Sequence, residues 1–261
     1  MLLRLFSYLM VGFLLLPMVI IVLASFTSAS YVSFPPQGFT LKWYGEALRR
    51  REFLDSLKLS LIVAIGTSAI AMVLGTMVAV GIVRYRFAGR ELINAFFMSP
   101  LIIPTVVIGI ALLQFYNQVG LATGVTTLII GHVIVTVPYA IRLVASSLTG
   151  LDRNIELAAR TLGAAPMRAF LKVTLPLIVP GMVAGSVFAF ITSFDNVTIS
   201  IFLATPRMVT LPVRIYNFWD QPIVPWLLAI CSLIIAWTVI VIWAIERTIS
   251  VQGIFGLQRN Q

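Results

Sequence analysis

Charged side chains make up only 10% of this 261-residue chain, and it has one cysteine, one histidine and nine acidic residues in all. A soluble domain carries about 25% charged residues. The shortage excludes a water-soluble globular enzyme, and a hydrophobic content of 60% excludes a disordered chain. Cys231 sits alone in an apolar run, cannot close an internal disulfide, and reads as a small packing residue. A single histidine, His132, excludes any two-histidine zinc motif; inside an apolar run it reads as a neutral imidazole bonded to a neighbouring helix. None of the lysines (Lys42, Lys58, Lys172) follows a glycine, so there is no Walker A phosphate loop. No G-x-S-x-G elbow occurs and no two carboxylates share an apolar run. The sequence therefore reads as non-enzymatic, and any uphill work must draw on an ion gradient or on a partner.

What fills the chain instead is apolar sequence, with a mean hydropathy of +1.03. A spanning helix needs about 20 apolar residues to cross roughly 30 Å of hydrocarbon. Six segments qualify, running approximately Leu5–Ser25, Leu57–Val83, Leu92–Phe115, Gly124–Leu148, Leu177–Leu203 and Ile223–Ile245. None alternates as a barrel strand would, and an isolated span must satisfy its own backbone hydrogen bonds, so all six are expected to be helices. The first could be a signal peptide, with Thr27 and Ala29 small enough for cleavage, but its apolar core exceeds the usual 7–15 residues and it reads as a retained span.

The net charge of +9 is spread between the apolar runs and not clustered, which points to membrane topology and away from nucleic acid. With the N-terminus inside, the larger share of Lys and Arg falls on the inner side, including Arg4, Arg84, Arg86, Arg90, Arg142 and the basic residues between Arg153 and Lys172. The exception is Arg49-Arg50-Arg51, accompanied by Glu46, Glu52 and Asp55 in a stretch, Lys42–Ser56, that reads as a short outer-surface helix with Trp43, Ala47 and Leu48 on its apolar side. The expectation is an all-α integral membrane protein of six helices with both termini inside.

The longest inner loop, Leu151–Pro176, carries the clearest local code. Asp152 is a good N-cap. Ile155, Ala158, Ala159 and Leu162 follow at helical spacing, and Gly163 can take the left-handed conformation that ends a helix. Pro166 suits the first turn of a second short helix, on which Met167, Phe170 and Leu171 share a face. Spacing alone allows two readings: an amphipathic loop lying on headgroups, or a knob that docks on another protein.

This loop resembles the "EAA" loop of the membrane subunits of binding-protein-dependent ABC importers, whose pattern is E-A-A, three residues, G, nine residues, I-x-L-P. Ala158-Ala159, Gly163, Leu175 and Pro176 fall in register. Val173 stands in the Ile slot and Leu157 in the Glu slot, with Glu156 one position earlier. The resemblance implies a type I importer permease bundle whose coupling helix, including Glu156, Ala158, Ala159, Leu162, Gly163, Pro166 and Phe170, docks on a cytoplasmic ATPase. It further implies two ABC ATPase subunits binding ATP and Mg²⁺, a second permease subunit, an external substrate-binding protein and a place in the bacterial inner membrane. No cofactor belongs to this chain itself. The implied organisation is residues 1–52 for the first span and surface helix, 53–250 for the permease core with the coupling loop 151–176, and 251–261 for a cytoplasmic tail.

The segments Ser25–Tyr44, Ser193–Phe202 and Thr210–Tyr216 resemble the spermidine/putrescine branch of these permeases, with wording also shared by permeases for iron, opines and other organic ions. A separate argument from the residues points the same way. Asp195 is the only acid deep in a predicted span, where a carboxylate costs at least about 2.5–3.5 kcal/mol unless it faces water or a partner. Asn196, Thr192 and Ser193 supply polar company, and Phe188, Phe190 and Phe194 supply the ring faces that favour an alkylammonium cation. The alternative is that Asp195 pairs with an arginine or polar groups of a second permease chain. A self-contained secondary transporter using Asp195 and His132 also stays open, although no internal repeat of the kind such proteins carry is evident.

Overall fold

The structure, a computed structural model, describes residues 2–218 and 224–248; the predicted tail 251–261 and the start of the sixth predicted span at Ile223 lie outside the described residues. Among the described residues the regular structure is helical apart from an isolated bridge between Thr205 and Met208. The chain divides into two compact units, one of Met1–Asp55 with Arg214–Thr248 and one built on Ser56–Val213.

In the first unit, α1 (Leu2–Ala24) and α2 (Lys42–Arg49) pack against α12 (Pro225–Thr248). The apolar window of α1 is 0% buried within the chain, so this helix depends on lipid or on another subunit to cover it. Trp43 and Ala47 are buried as the spacing predicts, whereas Leu48 is exposed. Trp43 Nε1 donates to the Thr27 carbonyl at 2.7 Å, and the Tyr44 hydroxyl lies 2.6 Å from Ser25 Oγ and 3.1 Å from Ser232 Oγ. The predicted surface helix is shorter than expected. Arg50 turns to an extended ψ of 97° and ends α2, and residues 51–56 join the next helix. Of the three arginines that break the charge pattern, Arg50 is held by neighbours: it pairs with Glu46 at 2.8 Å, lies 3.7 Å from Glu52, and stacks 3.9 Å from the Trp226 ring centroid.

The second unit is organised on α3 (Arg51–Arg84, entering this unit at Ser56), α6 (Val125–Thr149) and α9 (Leu175–Phe194). More than half of the apolar window of α6, 56%, is buried, which makes it the central helix. Small residues permit that position. A Cβ at Gly75 of α3 would lie 2.7 Å from Ala140 Cβ, and one at Gly185 of α9 would lie 3.2 Å from Ala140 Cα, so three backbones converge on one alanine. Ala71 and Ala79, flanking Gly75 at four-residue spacing, are fully buried, and Ser68 Oγ donates to the Ser186 carbonyl at 2.6 Å across the same contact.

The predicted spans map onto these helices with two changes. The third is α4 (Arg90–Met98), a 3-10 turn (Ser99–Leu101) and α5 (Thr105–Gln118), bent by 101°. Pro104 has no N–H to continue the helix and disfavours helical geometry at Ile103. This bend frames an apolar cavity of about 590 Å³ lined by Phe96, Pro100, Ile103, Val107 and, from α6, Val133 and Val137. The fifth breaks at Asp195–Val197 before α10 (Thr198–Leu203), which packs on α5 and α6. By length and composition four described helices can cross a membrane, five if the bent pair is one span, and α12 contributes the further apolar stretch Pro225–Ile240. The short α11 (Leu211–Tyr216) begins where the Leu211 N–H donates to Ser60 Oγ at 2.8 Å.

Candidate functional site

The loop between α6 and α9 folds as its code predicts. Asp152 caps α7 (Arg153–Thr161), its Oδ1 accepting from the Asn154 N–H at 2.9 Å. Gly163 stands at φ +91°, and the bonds Gly163 N–H to Arg160 O (3.0 Å) and Ala164 N–H to Ala159 O (3.1 Å) complete a Schellman ending. Pro166 opens α8 (Pro166–Ala169), which runs through a π-helical turn (Phe170–Thr174) into α9.

The knob divides into two faces. Ile155, Leu157, Ala158, Leu162 and Met167 are exposed, Leu162 at 89%. Ala159 and Phe170 are partly covered, while Gly163 and Pro166 lie on the open turn. Glu156 points the other way. Its Oε2 accepts from Thr174 Oγ1 at 2.6 Å and lies 3.5 Å from Arg84 Nη2 at the end of α3. Spacing did not reveal Arg84 as part of this site; the only hint was that it is the first of three arginines, with Arg86 and Arg90, at the inner end of the second apolar run.

The second cluster surrounds the break after α9. Asp195 is the C-cap of α9 and is exposed, not buried within its own chain, and it shares an open face with Phe188 and Ile191 at helical spacing. Phe190 and Phe194 stack at 6.0 Å between centroids, and Tyr139 meets Phe188 at 4.8 Å. Asn196 Oδ1 accepts the Ile199 N–H at 2.8 Å and so starts α10, which occupies its carbonyl oxygen. Ser193 points inward. His132 is buried with Nδ1 2.7 Å from Ser193 Oγ and Nε2 3.0 Å from Ser200 Oγ. A neutral imidazole donates from one nitrogen and accepts at the other, so this ring bridges both sides of the break. The seven-residue spacing of Ser193 and Ser200, two helical turns, was the available signal. Thus Asp195 keeps only Phe188 on its own face, the Phe190–Phe194 stack lies on another side of α9, Ser193 is engaged by His132, and Asn196 holds the backbone of α10. Among the described residues no group of His, Cys, Asp and Glu could hold a metal ion.

With these two features in place, the fold falls in the class of ABC importer permeases. A bacterial ABC transporter importing the acidic polysaccharide alginate aligns with a TM-score of 0.76 at 16% identity, over 94% of both chains. The methionine transporter MetNI in an inward-facing form aligns with a TM-score of 0.60 at 19% identity, over 77% of this chain and 94% of that one. Residues 71–251 match the family model "Binding-protein-dependent transport system inner membrane component", and the chain belongs to that family. Its relatives include the putrescine transport system permease protein PotI of Escherichia coli strain K12, 34% identical over 85% of this chain and 82% of that one. The spermidine/putrescine transport system permease protein PotC of the same strain is 29% identical over 89% and 88%. The chain is therefore an inner-membrane, non-catalytic permease subunit of an ABC importer, on the polyamine side of that family.

Proposed function

We propose that this chain forms half of an ATP-driven import path for a small organic polycation such as putrescine or spermidine, with α7 and α8 as the element that receives force from a cytoplasmic ATPase. The observation that carries the reading is the knob itself. It is a capped, folded element that exposes Ile155, Leu157, Ala158, Leu162 and Met167 among polar residues, apolar side chains that water alone does not favour. Ala158 and Gly163 keep that surface low enough for a cleft to close on it. The Lys and Arg bias that favours both termini inside also makes the knob cytoplasmic. ATP and Mg²⁺ belong to two ATPase subunits, and a second permease chain and an external binding protein complete the assembly.

Asp195 supports the choice of cargo. An exposed carboxylate at a helix break, on the same open face as Phe188, offers an alkylammonium group charge and a ring face together. The transport activities in the names of PotI and PotC support the same substrate class.

The test is to co-express the chain with a partner permease and the ATPase, purify the complex, and reconstitute it in vesicles with the binding protein. Labelled putrescine is expected to enter only with ATP inside the ATPase compartment. Ala158→Asp and Gly163→Asp are each expected to insert normally yet to lose ATPase capture and uptake. Uptake at the wild-type rate in both variants would overturn the docking assignment, and uptake by the lone chain would favour a self-contained transporter.

A further inference from the structure

We infer that Glu156 is a positioning residue that locks the knob to the inner end of α3, and not a contact for the ATPase. The inference rests on the docking reading above and deepens it. Three ties join the first turn of α7 to the body of the protein. Thr174 Oγ1, fully buried in the π-helical turn, donates to Glu156 Oε2 at 2.6 Å. Arg84 Nη2 lies 3.5 Å from the same oxygen, with the two side chains only 10% and 22% exposed. Arg153 Nη2 donates to the Arg84 carbonyl at 2.8 Å, so the end of α3 is held through its backbone as well.

The geometry opposes a docking role for this carboxylate. The open face of α7 runs through Ile155, Ala158 and Leu162, and the partly sheltered Glu156 turns away from it towards α3 and α9. A sheltered ion pair of this kind is screened less than a surface pair. It also connects to the right machinery. α3 is 34 residues long, about 50 Å, and packs through Gly75 on Ala140 of α6, while Thr174 leads directly into α9. A displacement of the knob therefore reaches α3 through Arg84 and α9 through Thr174 at once. Without the clasp, the knob can stay docked while the helices lag behind it.

The experiment uses the assembled transporter in vesicles and compares Glu156→Gln, Arg84→Gln, the double variant, and Thr174→Val. Three quantities are read: ATPase co-purified per permease, ATP hydrolysed, and putrescine imported per ATP. Glu156→Gln is expected to capture the ATPase at the wild-type level and hydrolyse ATP, but to import about fivefold less per ATP, the effect of a coupling energy of about 1 kcal/mol. The double variant is expected to be no worse than the poorer single one, because both remove the same tie. Thr174→Val, which keeps the charge pair, is expected to fall between Glu156→Gln and wild type. Loss of ATPase capture in Glu156→Gln would overturn the inference by making the carboxylate a docking contact, as would wild-type coupling or independent, multiplying losses in the double variant. A wild-type chain that captures no ATPase would refute the docking reading itself, and this one with it.

Discussion

Replacing Gly75 with alanine adds one methyl group at the point where α3, α6 and α9 converge. The added Cβ would lie 2.7 Å from Ala140 Cβ, 3.1 Å from the Ile141 nitrogen and 3.2 Å from the Ala140 carbonyl carbon. Two of those three atoms are backbone and cannot rotate aside, so the helices must separate. Overpacking of this kind costs about 1–3 kcal/mol. Alanine also gains helix propensity over glycine, about 0.8–1 kcal/mol, and α3 contains its own controls for that gain. Gly81 has nothing within 4 Å, and Gly66 meets only the Ile129 side chain, at 2.9 Å from the mobile Cδ1. The propensity term is common to all three substitutions and cancels in the differences. Gly75→Ala is therefore expected to be less stable than Gly81→Ala by about 1–3 kcal/mol, with Gly66→Ala between them. Unfolding of purified protein in detergent, followed by helical circular dichroism at one scan rate, gives relative midpoints even where unfolding is irreversible. A Gly75→Ala protein as stable as Gly81→Ala would refute the close three-helix contact.

His132→Ala removes two interhelical bonds, each worth about 0.6 kcal/mol and at most about 1.7 inside a membrane, so a loss of about 1–3 kcal/mol is expected in the same melting assay. Ser193→Ala and Ser200→Ala should then add little in the His132→Ala background, and full additivity would mean that the bridge is absent. Asp195→Asn is expected to raise the putrescine KM by about tenfold while leaving ATPase capture intact, since a hydrogen bond to a charged group is worth about 1.5–3 kcal/mol and about 1.4 kcal/mol is tenfold. An unchanged KM would assign Asp195 to contact with the second permease chain. Gly163→Ala meets no atom within 4 Å, so its whole effect is the cost of φ +91°, about 1–2 kcal/mol. It should weaken ATPase capture by about tenfold, and unaltered capture would show that the turn does not shape the docking face.

Much of this was legible from the sequence because the codes involved are local. The Asp152 cap, the Gly163 ending and the Pro166 restart are each settled within a few residues by hydrogen bonding and backbone sterics. The same holds for the membrane itself: a chain this poor in charge has no other solvent in which to bury its surface. Pro104 removes a helical N–H by local chemistry alone, but no local rule sets the bend at 101°.

The rest required distant residues to meet. Nothing in local spacing says that Glu156 turns from the open face towards Arg84, 72 positions earlier, or that His132 joins Ser193 to Ser200. An apolar run also does not report that its helix stops at Asp195, because that break depends on Asn196 finding the Ile199 N–H and on His132 holding both flanks. Chain chemistry alone determined that this protein lives in a bilayer and carries a folded knob between two of its helices. Which side chains of that knob face outward and which grip the body was decided by tertiary packing, since an ion pair and a buried hydroxyl take effect only once three separate helices have come together.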